Sequence, residues 1–243
     1  MNTTVFMLTL REFVGQKRSL VLLLLAIVPV FLALIYGLGD QVDQQDWTAN
    51  FLMDGIVTTL VLPLSCLILG TAAIGSEIED GTALYILAKP IKRAEIVLAK
   101  FAGAVLPVAA VLIPATVISG LIAISGTPEN GIVVGFAVAV TLGVLAYTAL
   151  FLLLSIMTTR ALLIGLAYVF IWEGLLTSLF GGTAYLSVRQ YCLGTADVIS
   201  GARPRDFEAD LGVEALFLGA AVVIIALLYA TRRLETIELS QAE

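Results

Sequence analysis

Histidine is absent from this sequence of 243 residues, and cysteine occurs only twice, at Cys66 and Cys192. The lack of histidine excludes imidazole-bound zinc, histidine-ligated haem and a serine–histidine nucleophile pair. Two cysteines are too few for a disulfide framework or a four-thiolate metal site. The phosphate-loop motif G-x-x-x-x-G-K-[ST] is also missing. We therefore predict a chain that is not an enzyme and that holds no metal or cofactor of its own.

Charge is scarce as well. Charged residues make up 13% of the chain and hydrophobic residues 60%, and the mean hydropathy is +1.04. A soluble domain carries about 25% charged residues, so this composition predicts an integral membrane protein. The net charge of -6 disfavours nucleic acid as a partner.

Six apolar runs are long enough for transmembrane helices, each of which needs about 20 residues. They leave no room for a soluble catalytic domain, so residues 1–243 are predicted to form one all-α, polytopic transmembrane domain. The predicted spans cover about 19–38, 56–75, 101–124, 132–157, 161–180 and 213–231.

Basic residues set the expected orientation, because positive charge near the end of a span stays in the cytoplasm. The amino terminus is then inside, the Asp40 to Asp54 loop is outside, and the carboxyl terminus is inside. Three basic residues fall outside in this topology, namely Arg189, Arg203 and Arg205. The others are inside: Arg11, Lys17, Arg18, Lys89, Lys92, Arg93, Lys100, Arg160, Arg232 and Arg233.

Residues 3–18 predict an amphipathic helix at the membrane interface, before the first span. Apolar side chains gather on one side of this helix, and Arg11, Glu12 and Lys17 lie on the other. A lipid-surface anchor and a specific docking element are both compatible with that pattern.

The longest external connection runs over residues 181–212, and its aromatic content predicts short outer helices that cap the bundle before the last span. In the fourth span, Gly131, Gly135, Ala139 and Gly143 recur at every fourth position. Such a stripe allows another backbone to come close, either within the bundle or across a dimer seam.

Apart from Glu214 at the outer end of the last span, Glu173 is the single charged residue within the predicted spans. Ionised groups are costly in a membrane and often mark functional sites. Two interpretations remain open for Glu173: a carboxyl kept neutral or solvated by an outer cavity, and a contact for substrate or gating.

The cytoplasmic segment 77–100 is the most informative part of the chain. An acidic cluster of Glu77, Glu79 and Asp80 precedes a Gly81-Thr82 break, at which Thr82 can cap a short helix. Apolar residues follow at Leu84, Ile86 and Leu87, and Pro90 ends the segment. A short capped helix between two membrane helices suits docking to a cytosolic partner, and a connector on the membrane surface is the alternative.

The pattern E-x-x-x-G-T, then an apolar patch, Pro-x-x-Arg and a lysine, resembles the permease subunits of ABC-2 type ABC transporters. The matching positions are Glu77, Gly81, Thr82, Leu87, Pro90, Arg93 and Lys100. Six spans, an amphipathic amino-terminal helix and a long last outer loop extend the resemblance over the whole chain. Many members have an acid two residues after the Gly-Thr pair, where this chain has Leu84.

The resemblance implies a permease dimer with two cytosolic ATPase subunits, and transport, most often export, driven by ATP and Mg bound to the ATPases. It also implies a multi-pass protein of a prokaryotic plasma membrane. The coupling helix would include Glu77, Glu79, Asp80, Gly81, Thr82, Leu84, Leu87, Pro90 and Arg93. The amino-terminal helix, with Arg11 and Glu12, would dock nearby.

Two other functions stay compatible with the sequence. An autonomous secondary carrier or channel would transport without an ATPase, although such carriers commonly assemble several ionisable groups in the membrane. A factor that uses ABC energy for the maturation of an extracytoplasmic complex is the second alternative.

Overall fold

The computed structural model describes residues 17–39, 43–79, 92–125, 131–177, 181–200 and 210–241, and within these ranges it contains helices and no strands. The predicted all-α class is therefore confirmed. Most of the predicted interfacial helix 3–18 and of the coupling helix lies outside the described residues. The helices are α1 (Lys17–Gly37), α2 (Gln44–Asp46, Trp47–Val61 and Leu62–Glu79), α3 (Arg93–Ala123), α4 (Gly131–Met157), α5 (Ala161–Ala167 and Tyr168–Leu176), α6 (Val188–Ser200) and α7 (Glu214–Gln241), with a 3₁₀ turn at Gly181–Leu186.

Five helices of the described ranges are long and apolar enough to cross a membrane, with mean hydropathies of 2.1 to 2.8. They are α1, α2, α3, α4 and α7. The predicted fifth span is present as a shorter apolar helix, Ala161–Leu175. At roughly 1.5 Å per residue it rises about 22 Å, which is less than a hydrocarbon core of about 30 Å.

Helix α2 begins at Gln44, whereas hydropathy placed the start of this span at about residue 56. The extra turns carry polar residues that an apolar-run criterion rejects. In the fold Thr48 is fully buried, and Asp54 is bound by a side chain of α6. The sequence-based assignment of Asp54 to a loop is wrong: the residue lies within α2, where Arg189 supplies the polar contact that lipid cannot.

Two stretches of the bundle have π-helical hydrogen bonding, Trp47–Val61 in α2 and Tyr168–Leu176 in α5. In α2 the hydroxyl of Thr58 donates to the carbonyl of Met53, five residues earlier, at 2.8 Å. Thr59 makes the same contact with Asp54 at 2.9 Å. Departures of this kind occur frequently at functional sites, and here they contain the acids Asp54 and Glu173.

Helix α4 is the centre of the bundle and packs against α2, α3, α6 and α7. Its small residues explain why so many helices can approach it. By contrast, α1 and α7 leave most of their surfaces exposed. Large apolar side chains such as Leu24 and Ile225 are more than 60% exposed on these two helices, so both present faces suited to lipid or to another membrane protein.

Helix α6 packs against the small-residue stripe of α4. A Cβ atom added to Gly135 would lie 2.6 Å from the carbonyl oxygen of Ala196, and one added to Gly131 would lie 2.5 Å from that of Ser200. On its opposite side, α6 meets α7 through Gly194, where an added Cβ would lie 2.5 Å from the carbonyl oxygen of Leu211. The stripe thus packs within the bundle, and the segment before the last span contains a short helix, α6, as predicted.

Candidate functional site

The cytoplasmic coupling residues predicted from the sequence are only partly within the described structure. Glu77 and Glu79 lie in the last turn of α2, and Arg93 is the first residue of α3. The remaining predicted positions lie outside the described residues: Asp80, Gly81, Thr82, Leu84, Leu87 and Pro90. Arg11 and Glu12 of the amino-terminal helix lie outside them as well.

Glu77 forms an ion pair with Lys100 across the two helices that flank this segment. The Lys100 Nζ atom donates to Glu77 Oε1 at 2.5 Å, and the side chains are 3% and 16% exposed for Lys100 and Glu77. An ammonium group this deeply buried needs such a partner, because its desolvation would otherwise be uncompensated. The pair therefore joins the end of α2 to the second turn of α3.

This contact changes the interpretation of Glu77. A carboxylate engaged by a buried lysine is better suited to holding the helix ends together than to being a freely exposed docking group. The resemblance described under the sequence analysis includes both Glu77 and Lys100, but their pairing depends on the way α2 and α3 meet. One sequence signal could have suggested this pairing. Acidic residues end one helix, and a basic residue follows soon after the start of the next helix.

A second polar site lies between α2, α5 and the outer helix α6. Arg189 of α6 donates to both carboxylate oxygens of Asp54, from Nε at 2.9 Å and from Nη2 at 2.6 Å. Burial would lower the pKa of the Arg189 guanidinium, but the hydrogen bond and charge of Asp54 outweigh it and raise that pKa. Hydropathy reasoning missed this pair, since it assigned both residues to external loops.

Glu173 belongs to the same region and is 2% exposed. Its Oε1 atom accepts from the Tyr168 hydroxyl at 2.7 Å and from the Val188 backbone N–H at 2.9 Å. Its Oε2 atom accepts from the Ser187 hydroxyl at 2.5 Å. Glu173 therefore binds the residues at the start of α6 and is buried within the described structure.

The two acids hold the same element. Asp54 fixes the first turn of α6 through Arg189, and Glu173 fixes the residues at its start through Ser187 and Val188. The close approaches to α4 and α7 secure the other end of this short helix. We call this set the outer latch: Asp54, Glu173, Tyr168, Ser187 and Arg189. Its geometry closes α6 onto the bundle: Asp54 and Arg189 form an ion pair, and Glu173 accepts hydrogen bonds from Tyr168, Ser187 and Val188.

Four hydroxyl groups of α2 and α4 are buried without a hydrogen-bond partner in the described part of the chain: Thr48, Ser65, Tyr147 and Thr148. Buried polar atoms in native proteins nearly always find a partner, and water is a common one. The interface of these two helices therefore has capacity for further hydrogen bonds. Among the described residues, no group of three His, Cys, Asp or Glu side chains could hold a metal ion.

Comparison with known proteins gives one match over nearly the whole chain. A family model described as ABC-2 family transporter protein matches residues 3–230. No curated protein matches the sequence.

Proposed function

Because this chain belongs to the ABC-2 transporter family, and is thus a membrane permease of an ABC transporter, we propose that it exports its substrate with energy supplied by a separate ATPase. The match to the family model over residues 3–230 is the observation that carries this proposal. The five long apolar helices and the shorter α5 provide the membrane-spanning body that such a subunit requires.

Energy would enter through the cytoplasmic segment between α2 and α3. Two ATPase subunits, which bind ATP and Mg, would dock at this segment on two permease subunits and press on it as they close. The Glu77–Lys100 pair supports the proposal, since a force applied to the connecting segment would act on two helices whose ends are tied together. The amino-terminal helix, with Arg11 and Glu12, would contact the same ATPase.

The proposed sidedness puts this segment and both termini in the cytoplasm of a prokaryotic cell. Its support is the distribution of basic residues, ten of which fall on the inner side of the topology against three on the outer side. The outer latch is then extracytoplasmic. Alternating access would require α6 or its neighbours to move relative to the closed arrangement described here.

The test is a mild-detergent purification of the tagged chain from its native host, with mass spectrometry of the proteins that co-elute and an ATPase assay on the complex. Recovery of a Walker-motif ATPase in roughly stoichiometric amount is the expected result. Gly81→Pro should lower substrate-stimulated ATPase activity while membrane insertion is retained. Recovery of an intact permease alone, which transports without ATP, would instead identify an autonomous carrier.

Glu77 needs a design that separates docking from helix pairing. Glu77→Ala leaves the Lys100 ammonium unpaired, whereas Glu77→Gln combined with Lys100→Met removes both charges. If Glu77 acts through the pair, the double variant recovers coupled ATPase activity that the single variant loses. Glu235→Ala, an exposed acid near the end of α7, is the matched control and should leave coupling unchanged.

A further inference from the structure

A cavity of about 260 Å³ opens between α1, α2, α4 and α5, at the end of the bundle that carries Arg160. Arg18 of α1 and Arg160, which precedes α5, contribute its two charged side chains. The rest of the lining consists of apolar side chains, glycine and hydroxyl groups, including those of Thr71, Ser155 and Thr159. Among the described residues, no acidic side chain lines the cavity.

The two arginines are available to an anionic ligand. Neither forms an ion pair with another residue of the described ranges. Arg160 is exposed and Arg18 is half-buried. A guanidinium group presents a planar fork of donors that matches the oxygens of a phosphate or a carboxylate, so two such groups around one cavity favour an oxyanion as its ligand.

The inner wall of the cavity carries hydroxyl groups that can accept hydrogen bonds from a ligand. The Thr71 hydroxyl donates to the Leu67 carbonyl at 2.6 Å, and the Ser155 hydroxyl donates to the Leu152 carbonyl at 2.8 Å. Both hydroxyl protons are therefore engaged, and each oxygen offers lone pairs to the cavity. A ligand group that reaches them must donate hydrogen bonds, as a glycerol hydroxyl does.

The position of the cavity points to the source of such a ligand. Arg18 is the first residue of the membrane-spanning part of α1, and Arg160 lies in the turn between α4 and α5. Both therefore sit at the level of the lipid headgroups, on the side that the basic residues assign to the cytoplasm.

We propose that this cavity binds the headgroup of an anionic phospholipid of the cytoplasmic leaflet, with the phosphate between Arg18 and Arg160 and headgroup hydroxyls towards Thr71 and Ser155. The inference takes only the sidedness from the proposed function. It needs no ATPase partner, so its test is independent of the coupling experiment.

The experiment is native mass spectrometry of the full chain, purified in mild detergent and mixed with phosphatidylglycerol or phosphatidylcholine. The wild-type chain should retain phosphatidylglycerol preferentially. Loss of one arginine should weaken retention about fivefold, and loss of both, in Arg18→Gln/Arg160→Gln, roughly 25-fold. Arg233→Gln removes an exposed arginine of α7 outside the cavity and should leave retention unchanged.

Two further variants separate a built site from general surface charge. Gly75 lines the cavity, and a Cβ atom added there would make only an ordinary 3.5 Å contact with Ser155. Gly75→Leu should therefore fill the space and abolish preferential retention with both arginines in place. Arg18→Lys/Arg160→Lys keeps the charges that set topology but lacks the guanidinium forks, and should weaken retention.

Several outcomes would overturn the proposal. Equal retention of the two lipids by the wild-type chain would do so, as would wild-type retention by a correctly folded Arg18→Gln/Arg160→Gln or Gly75→Leu variant. Displacement of the lipid by millimolar inorganic phosphate or glycerol phosphate would identify a soluble phosphate compound as the ligand instead. Thermal unfolding of each variant in the same detergent establishes that it is folded.

Discussion

The Asp54–Arg189 pair should govern how readily α6 leaves the bundle. Asp54→Asn or Arg189→Gln removes one charge from a doubly hydrogen-bonded contact, with donor–acceptor distances of 2.9 and 2.6 Å. The neighbouring Glu173 contacts remain in both variants. We therefore expect α6 to stay folded in its place but to open more often.

The magnitude follows from the geometry. A hydrogen bond to a charged group contributes about 1.5–3 kcal/mol, and breaking a fully buried ion pair costs about 3–5 kcal/mol. The Arg189 and Asp54 side chains are 22% and 14% exposed, so water can partly compensate the group left behind. A loss of about 2–4 kcal/mol is therefore expected, which corresponds to roughly 30- to 1,000-fold in the opening equilibrium.

Cys192 provides the assay, because it is a fully buried free thiol in α6. Burial raises the pKa of this thiol, so it reacts slowly with a maleimide while α6 is seated and faster once α6 opens. Labelling would be followed in a Cys66→Ala background, which removes the other cysteine. When closing is fast relative to labelling, the rate ratio reports the change in opening free energy.

A labelling rate that stays within about twofold of the parent in both single variants would refute the reasoning. The double variant Asp54→Asn/Arg189→Gln should label more slowly than either single variant but faster than the parent, since it loses the contact and leaves no unpaired charge behind. Asp197→Asn is the matched control: it makes the same chemical change on α6 at a residue with no ion pair in the described structure, and it should not alter the rate.

Three further predictions concern stability in detergent. Lys100→Met should lower the free energy of unfolding by about 2–4 kcal/mol because it removes the buried half of the ion pair that joins α2 to α3, and Glu77→Gln/Lys100→Met, which also removes the opposing charge, should recover part of that loss; thermal unfolding measures both. Gly135→Ala should destabilise the seat of α6 by about 1–3 kcal/mol, since its Cβ would meet the Ala196 carbonyl oxygen at 2.6 Å; Cys192 labelling measures it. Glu173→Ala should accelerate the same labelling about 10-fold or more, because the donors on Ser187 and Val188 lose their acceptor.

Control variants show whether the Gly135 and Glu173 changes act through the contacts described above. Gly37→Ala is the control for Gly135→Ala, because the nearest atom to its added Cβ is 3.7 Å away, an ordinary contact. Glu173→Gln retains an acceptor for Val188 and should lose only about 1 kcal/mol. Equal effects of the alanine and glutamine changes at Glu173, or equal effects at Gly37 and Gly135, would contradict the contacts described here.

The residues of the outer latch show where hydropathy stops being informative. Asp54 and Arg189 are separated by 134 intervening residues, and each lies in a segment polar enough to suggest an external loop. They can be buried because each compensates the desolvation of the other. Glu173 was identifiable from the sequence as a charge inside an apolar run, but its acceptor role depends on Ser187 and Val188, which a separate helix brings to it.

The sequence alone determined the class of the molecule. Long apolar runs must become helices in lipid, because backbone groups there have to bond within their own segment. Four small residues at every fourth position likewise predicted a close helix contact, since that spacing is a property of a single helix. Both conclusions depend on local chemistry, and both agree with the structure.

The tertiary structure decided everything that depends on two distant segments meeting. It showed that the close contact of α4 is with α6, that Glu77 reaches Lys100, and that Arg18 and Arg160 share one cavity. It also extended α2 back to Gln44, because Arg189 of α6 supplies the partner that Asp54 lacks in its own segment. Composition and periodicity report what one segment needs, and only packing determines which other segment provides it.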